Sequence, residues 1–207
     1  GSNHVLILDI GCGDGTILDI LNNDCKNFTY IGTDISKENI KFANNKYNNK
    51  SKFNFILADY LDQEFDNKFD LIISYSTLHL LKKPEKAIRK IYSELKPDGH
   101  VIIGVPYTCL TAYISLFIRY ILIFITKIGL KKLIVKIRVF FLNKKYSQER
   151  IVQATNYMTI IPSFLYNKNI KTFIQSLGFE IISEDKEINI DPGKLPHTNI
   201  ILSKRNL

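Results

Sequence analysis

The sequence predicts an α/β protein with a doubly wound, mostly parallel sheet of seven strands and a helical insertion after the fifth strand. Three observations lead to this fold class. Short apolar runs rich in β-branched residues alternate with stretches of helical periodicity, which is typical of a parallel sheet covered on both faces. Acidic or hydroxyl residues close several of the runs. About sixty residues, 106–167, interrupt the alternation before it resumes.

The predicted elements follow from local patterns taken in chain order. Apolar runs predict strands at 5–9, 29–33, 53–57, 69–74, 101–105, 179–182 and 199–203. Helices are predicted at 16–21, 37–47 and 84–95, and a last one carries Ile170, Ile174 and Leu177 on one face. Ser36 can cap the second helix, "KPDG" at 96–99 ends the third, and Gly178 ends the last.

Composition indicates a folded protein whose positive charge is concentrated in one segment. The chain has 207 residues, 45% of them hydrophobic, and a net charge of +8. Residues 107–150 hold nine Lys or Arg and one acid, so this segment alone carries 9 − 1 = +8 and the rest is neutral. We therefore predict a core domain at 4–106 and 163–207 and a helical insertion at 107–162. The three cysteines form no CxxC pair, which favours reduced thiols in a cytoplasmic protein and no metal site.

The glycine loop "LDIGCGDG" at 8–15 opens the first helix directly after the first strand. A dinucleotide fingerprint would place its third glycine at position 16, where this chain has Thr16. Asp14 inside the loop would repel a pyrophosphate, and the Gly-Lys-Ser/Thr of a P-loop is absent. The loop therefore suits a ligand whose nearby charge is not phosphate, such as a cationic sulfonium beside an ammonium group.

Two acids follow the next two strands. Asp34 comes 23 residues after Gly11, where a carboxylate can accept hydrogen bonds from both hydroxyls of a ribose. Asp59 follows the third strand and is placed to accept a hydrogen bond from an adenine amino group. Taken alone, Asp34 is as well explained as a helix-capping acid.

Five motifs together resemble the class I S-adenosylmethionine-dependent methyltransferases, especially the small-molecule branch that includes ubiquinone and menaquinone biosynthesis enzymes. They are "LDIGCGDG" (8–15), "IGTDIS" (31–36), "LADYLD" (57–62), "FDLIISYSTLHLL" (69–81) and "LKPDGHVIIGV" (95–105). The resemblance covers about residues 5–106 and 163–203. It implies a Rossmann-like fold, the cofactor S-adenosyl-L-methionine, a transferase activity and a helical substrate cap formed by the insertion at 107–162.

The resemblance also implies a set of cofactor-binding residues. Gly11 and Gly13 would let the backbone approach the methionine part, and Asp9 would organise the loop; Asp34 would hold the ribose. The implied set is Asp9, Gly11, Cys12, Gly13, Asp34, Ile35, Ala58, Asp59, Tyr60, Ser74 and Tyr75, with Asp59 and Tyr60 flanking the adenine and Ser74 and Tyr75 near the methyl group.

His79, in "STLHLL" after the fourth strand, is the candidate catalytic base. A base is needed only when the acceptor is a poorly acidic hydroxyl. Related enzymes often carry two consecutive histidines here, whereas this chain has Leu80 next, so a histidine packed under the substrate pocket is the alternative. Tyr75, His79 and Tyr107 are the predicted substrate-contacting residues.

Nucleic acid is disfavoured as the acceptor. DNA amino-methyltransferases place a [DNS]-P-P-[YF] motif after the fourth strand, where this chain reads "SYST". Cys109 in "PYTC" resembles the nucleophile of RNA cytosine-5 methyltransferases, but those enzymes also carry a Pro-Cys after the fourth strand, which this chain lacks, so a small buried hydrophobic residue is the preferred interpretation. An RNA-binding methyltransferase that uses the basic segment stays open as a third reading.

The insertion contains two apolar helical patterns. Residues 110–125 are apolar almost all round, with Arg119 at the centre, and residues 130–142 are amphipathic and basic. The chain must return to finish its sheet, and the second pattern is too short to span a bilayer, so a transmembrane pair is disfavoured. Two readings remain: an anionic membrane surface contacted through 110–142, or a folded cap whose apolar faces pack on the domain. An oligomer interface is compatible with either.

The function predicted from the sequence is S-adenosylmethionine-dependent methyl transfer to a small, hydrophobic or lipid-linked acceptor. The alternatives are a sugar or natural-product O-methyltransferase and a non-catalytic cofactor-binding scaffold at a membrane. The predicted localisation is cytoplasmic, with a peripheral membrane association if 110–142 bind lipid.

Overall fold

Seven strands form one sheet in the computed structural model of the chain, which describes residues 4–24, 27–48, 51–144, 148–162, 165–186 and 195–205. Numbered along the chain, the strands are β1 Val5–Ile10, β2 Phe28–Asp34, β3 Phe53–Leu57, β4 Phe69–Tyr75, β5 Leu95–Pro106, β6 Phe179–Lys186 and β7 His197–Lys204. Their order across the sheet is β3-β2-β1-β4-β5-β7-β6. The first five strands are parallel, and β7 runs antiparallel to both of its neighbours. The predicted α/β class with a mostly parallel seven-stranded sheet is confirmed.

Seven α-helices connect or follow the strands in the described residues. They are α1 Thr16–Asp24, α2 Lys37–Lys46, α3 Pro84–Glu94, α4 Leu110–Lys127, α5 Lys131–Leu142, α6 Gln148–Tyr157 and α7 Lys168–Ser176, and a short 3₁₀ turn lies at Leu78–Leu80. The helices α4 to α6 make up the predicted insertion between β5 and the last helix of the core.

Buried apolar residues lie on both faces of the sheet. Leu8 and Ile72 belong to a cluster that includes Ile88 of α3 and Ile174 of α7. Their neighbours along the strands pack instead with Leu18 of α1 and Ile40 of α2 in a second cluster. Because successive strand residues point to opposite faces, this division places α3 and α7 on one face and α1 and α2 on the other.

The predicted helix boundaries in the core rest on identifiable caps. Ser36 precedes α2 and accepts a hydrogen bond from the backbone N–H of Asn39. Asn167 does the same at the start of α7, and Gly178, with φ +97°, follows its end.

One predicted boundary differs from the structure. Leu95 was expected to be the last apolar residue of the third helix, but α3 ends at Glu94 and Leu95 pairs with Phe69 in the sheet. The segment "KPDG" therefore belongs to an irregular start of β5, with Asp98 at φ +59°. Pro97 cannot continue a helix, and pairing with β4 satisfies the backbone instead.

The insertion leaves and re-enters the sheet at adjacent points. After β5, the N–H of Thr108 donates to the carbonyl of Tyr166, and the N–H of Tyr166 donates to the carbonyl of Pro106. Residues 107 and 166 thus form a bridge at the base of the insertion. The predicted division at 106/107 and 162/163 stays a prediction, and residues 163–164 lie outside the described part of the chain.

The helices of the insertion are where the sequence predicts them, but their apolar faces do not pack on the domain. No residue described in α5 is buried, and the large apolar side chains of α4 are mostly exposed. Within the described residues, α4 is the one helix long and apolar enough to cross a bilayer by length and composition, and only 17% of it is buried. The reading of a cap that packs through these faces is therefore wrong.

Candidate active site

The loop after β1 is fastened to the end of β2. The backbone N–H groups of Gly11 and Cys12 both donate to the carbonyl of Thr33, at N···O distances of 2.7 and 2.9 Å. The next N–H, of Gly13, donates to Oδ2 of Asp34 at 2.9 Å. Three successive loop amides therefore converge on two residues of the neighbouring strand, at the carboxyl edge where ligands of such sheets bind.

Two glycines of this loop are needed for different reasons. Gly11 has φ +73°, and a Cβ there would lie 2.1 Å from Oγ1 of Thr77, so the missing side chain lets the loops after β1 and β4 meet. Gly13 has φ +57°, and a Cβ there would meet nothing within 4 Å. Its backbone therefore faces open space, as a ligand-binding turn requires.

Asp34 is the centre of the hydrogen-bond network at this edge. Besides Gly13, its carboxylate accepts from the backbone N–H of Ser36 at 2.8 Å and from the side-chain amide of Asn39 at 3.3 Å. Its carbonyl accepts from Ala58 N–H, which fixes the end of β3 beside it. Ile35, predicted to contact the cofactor, is 75% exposed at the same edge.

Asp9 lies beneath the loop rather than on its open side. The carboxyl is buried and accepts a 2.6 Å hydrogen bond from the hydroxyl of Tyr30. Burial raises the pKa of Asp9 to about 7, the Tyr30 hydrogen bond lowers it in part, and the charge of Asp34 raises it. Cys12 is buried nearby, and burial together with Asp9 raises the pKa of its thiol. Both residues support the loop from below.

The buried carboxyl makes a testable contribution to stability. The pKa of Asp9 is raised from 3.8 to about 7 on folding, so the folded protein binds this proton more tightly than the unfolded chain does. The stability that the bound proton contributes is complete below pH 3.8 and is lost as the pH rises through 7. Asparagine cannot take up this proton. We therefore expect the difference in free energy of unfolding between Asp9→Asn and wild type to shift in favour of the variant as the pH rises from about 4 to about 7, and to stay constant above about pH 7. Urea denaturation of both proteins across this range checks it, and a difference independent of pH would contradict it.

Asp59 and Tyr60 follow β3 and point in different directions. Asp59 is exposed, and its carboxylate accepts from the N–H of Leu61 at 3.0 Å. Tyr60 was predicted to flank an adenine, but its side chain is 3% exposed and donates its hydroxyl to Glu94 at 2.7 Å. The ring packs in the core among β-strand residues, so Tyr60 can reach a ligand through its backbone alone, and that side-chain role is corrected.

The end of β4 presents Tyr75, while Ser74 is fully buried. Tyr75 is 41% exposed, and its ring lies over Gly104, where a Cβ would come within 2.5 Å of it. The ring also stacks on His197, with centroids 6.2 Å apart and planes 16° from parallel. Glycine in the neighbouring strand thus lets Tyr75 lean across the sheet edge. Ser74, predicted to line the floor near the methyl group, has no exposed surface in this structure.

His79 is buried in the 3₁₀ turn after β4 and is 5% exposed. Burial, with the nearby charges of His197 and Arg119, lowers its pKa from 6.5 to about 3. Its ring meets that of His197 edge-on at 5.6 Å. This environment is that of a packed neutral histidine, which is a weak base at neutral pH.

His197 also lies at this edge, although its sequence context does not mark it as a site residue. Its Nδ1 lies 2.7 Å from the carbonyl of Leu195, which can only accept, so Nδ1 carries a proton. In the neutral ring, Nε2 then accepts the hydroxyl proton of Ser76 at 3.0 Å. Ser76 itself has φ +58°, an uncommon conformation for a residue other than glycine. No local pattern marks His197, because its partner is 121 positions away in the chain.

Tyr107 lies at the start of the insertion, three residues before α4. Its N–H donates to the carbonyl of Pro196, and Nζ of Lys186 lies 5.3 Å from its ring centroid. The predicted substrate residues Tyr75, His79 and Tyr107 therefore follow β4 and β5, and β7 begins beside them with His197. In the described residues, no group of three or more His, Cys, Asp or Glu could hold a metal ion.

Comparisons with known proteins agree with this architecture. Residues 8–103 match the family model described as a methyltransferase domain. Juvenile hormone acid O-methyltransferase of Bombyx mori is 33% identical over 102 residues, 47% of this chain and 36% of that protein. Malonyl-(acyl-carrier protein) O-methyltransferase of Priestia megaterium is 30% identical over 104 residues, 49% of this chain and 36% of that protein. The chain spans little more than a third of the length of these curated relatives.

Likeness of fold extends further than likeness of sequence. The crystal structure of the N-methyltransferase NodS from Bradyrhizobium japonicum, in complex with S-adenosyl-L-homocysteine, superposes with a TM-score of 0.63 at 14% identity, covering 99% of this chain and 81% of that one. Residues 8–103, which match the methyltransferase domain, hold the loop after β1, Asp34 and the end of β4, and the chain has the fold of S-adenosylmethionine-dependent methyltransferases such as NodS.

Proposed function

We propose that the chain binds S-adenosylmethionine at the carboxyl edge of β1 to β4 and methylates a small, hydrophobic acceptor whose attacking oxygen is already ionised. The observation that carries the cofactor proposal is Gly13. Its N–H is held by Asp34, while the side where a Cβ would stand is open. A loop of this kind offers backbone atoms to a ligand at a fixed position beside a carboxylate.

The residues present fit the cofactor. Gly11 and Gly13 would line the methionine part, Asp34 would accept from the ribose, and the exposed Ile35 and Asp59 would border the adenine. When bound, the cofactor supplies a strongly electrophilic methyl group. The chain's contribution is then to hold the acceptor oxygen in line with that group and to keep water away from it.

The surroundings of His79, the predicted base, support an acceptor that needs no base. His79 is buried with a pKa of about 3, so it would take a proton from a hydroxyl acceptor poorly. A carboxylate needs no base because it is ionised at neutral pH. The names of two relatives, which specify O-methylation of juvenile hormone acid and of a malonyl group, support the same class. The exposed apolar surface of the insertion supports a hydrophobic acceptor.

The test is methyl transfer from isotopically labelled S-adenosylmethionine to matched pairs of hydrophobic compounds, each a carboxylic acid and the alcohol with the same skeleton. We expect label in the methyl esters of the acids and none in the alcohols. Equal labelling of the alcohols would contradict the carboxylate proposal and favour a sugar or natural-product O-methyltransferase with a base.

Binding without transfer is the second informative outcome. If calorimetry shows S-adenosylhomocysteine binding but no acceptor class, in pure form or in a lipid extract, becomes labelled, the chain acts as a cofactor-binding scaffold. If the cofactor product does not bind at all, the proposed site is wrong.

A further inference from the structure

The helix α4 presents its large apolar side chains outwards. Those at least 43% exposed recur at helical spacing along one side and are Leu110, Tyr113, Ile114, Phe117, Tyr120, Ile121 and Phe124. The opposite side holds Ala112, Ser115 and Arg119, all buried. A helix of a water-soluble domain normally has the reverse arrangement, with its apolar stripe facing the core. The outer face of α4 is therefore suited to an apolar environment outside the protein.

The next helix also exposes apolar side chains and adds positive charge. In α5, Leu133, Ile137, Phe140 and Phe141 are between 49% and 74% exposed. Lys131, Lys132 and Lys136 of the same helix are also exposed. Lysines beside an apolar face can extend their charged ends towards lipid head groups while their stems cover apolar surface.

Charge in this segment has one sign. Residues 107–144 contain seven Lys or Arg and no Asp or Glu. Two of these, Arg119 and Arg138, are turned inwards, where Arg119 donates to backbone carbonyls and Arg138 to the sulfur of Met158. The remaining five, Lys127, Lys131, Lys132, Lys136 and Lys144, are exposed. Such a surface attracts an anionic partner and repels a second copy of itself.

The fold holds α4 along the protein surface rather than free to cross a bilayer. Nη1 of Arg119, in the middle of the helix, donates to the carbonyls of Tyr157 and Ile160 at 2.8 Å each. The inner face is thereby attached to the end of α6 and to the chain just after it. The twelve residues of α5, at about 1.5 Å each, are too short to span the hydrocarbon core.

We propose that the exposed apolar faces of α4 and α5 dock on a bilayer containing anionic lipid, with the five lysines at the head groups. The occupant is a lipid surface, because aromatic and aliphatic side chains flanked by lysine match an interface of apolar tails and negative head groups. The docking surface starts three residues after Tyr107, so it would bring a membrane-dissolved acceptor to the edge of the site. Docking does not depend on the proposed methyl transfer.

Co-sedimentation with vesicles tests the proposal. Two vesicle types are compared, phosphatidylcholine alone and phosphatidylcholine mixed with phosphatidylglycerol. We expect the wild-type chain to pellet with the mixed vesicles. The double variant Phe117→Ser/Phe124→Ser should bind these vesicles at least about tenfold more weakly. A Lys131→Ala/Lys132→Ala/Lys136→Ala variant should lose the preference for anionic vesicles.

The matched control removes exposed apolar groups elsewhere. Ile20 and Phe42 are 61% and 54% exposed on α1 and α2, and Ile20→Ser/Phe42→Ser should pellet like wild type. All variants should bind S-adenosylhomocysteine as wild type does, which separates this proposal from the proposed function. Failure of the wild type to pellet with anionic vesicles would overturn it. An equal loss of vesicle binding in the Ile20→Ser/Phe42→Ser control would also overturn it. So would light scattering that shows a wild-type dimer and a monomeric Phe117→Ser/Phe124→Ser variant, because the apolar face would then be a contact between two copies.

Discussion

An Asp34→Ala variant is expected to bind S-adenosylhomocysteine at least about 100-fold more weakly than the wild type. The carboxylate accepts three hydrogen bonds, from Gly13, Ser36 and Asn39. A hydrogen bond from a ribose hydroxyl to a carboxylate contributes about 1.5–3 kcal/mol, which is a factor of about 10 to 150 in affinity, and displacement of the Gly13 loop adds to that loss. Removal therefore affects the cofactor twice, through the loop geometry and through the predicted ribose contact.

The carboxylate of Asp34 has few hydrogen-bond acceptor positions left for a ligand. A carboxylate has about four acceptor positions, and three donors already occupy it. One ribose hydroxyl can be added directly, while a second would compete with the amide of Asn39, whose 3.3 Å contact is the longest of the three. Asn39→Ala should therefore weaken binding far less than Asp34→Ala.

Calorimetric titration measures these affinities, with two variants for comparison. Asp59→Asn removes the charge predicted to accept a hydrogen bond from the adenine amino group and should cost about tenfold, the contribution of one hydrogen bond to a charged group. Asp66→Asn removes an exposed acid away from the site and should bind like wild type. Near-wild-type binding by a folded Asp34→Ala protein would show that Asp34 does not hold the cofactor.

Arg119→Met should destabilise the insertion by about 2–4 kcal/mol. The guanidinium is 8% exposed and donates to two backbone carbonyls of another segment. Methionine fills a similar volume but makes neither hydrogen bond, and a hydrogen bond to a charged group contributes about 1.5–3 kcal/mol, towards the lower value where the accepting residues, here Tyr157 and Ile160, are partly exposed. Urea denaturation followed by circular dichroism gives the free energy of unfolding, and limited proteolysis between 110 and 160 shows whether the insertion opens separately.

Lysine at the same position separates charge from geometry. Arg119→Lys keeps the charge but lacks the planar guanidinium, so we expect an intermediate loss. Lys127→Met removes an exposed positive charge from the end of the same helix and should change stability by less than about 0.5 kcal/mol. If Arg119→Met and Lys127→Met are equally stable, Arg119 does not fasten α4 to the protein.

Much of the core could be predicted because its signals are local. Apolar runs identified the strands, and Ser36 and Gly178 marked helix ends through their own backbone preferences. The exception is Leu95, which fits a helical spacing but joins β5, because pairing with Phe69 is decided by a residue far away in the chain. Local pattern and tertiary pairing disagreed there, and the pairing determined the structure.

The parts of the site that escaped prediction depend on distant partners. Tyr60 follows an acid at a strand end and resembles a ligand-facing residue, but Glu94 of α3 draws its hydroxyl into the core. His197 gains its surroundings only when β7 lies beside β5. The outward face of α4 could not be read from a helix that is apolar almost all round; the carbonyls bound by Arg119 decide which side is inner.

The position of β7 in the sheet has a consequence for how the chain folds. β7 is made after β6, yet it lies between β5 and β6, and β6 is at the edge of the sheet. During synthesis the half of the sheet that holds Gly13 and Asp34 can form early from nearby strands, whereas β5 keeps an open edge until residue 204 has been added. Open edges favour association with other chains. The half of the sheet that holds Gly13 and Asp34 is thus expected to acquire structure first, and β6 and β7 join β5 together afterwards.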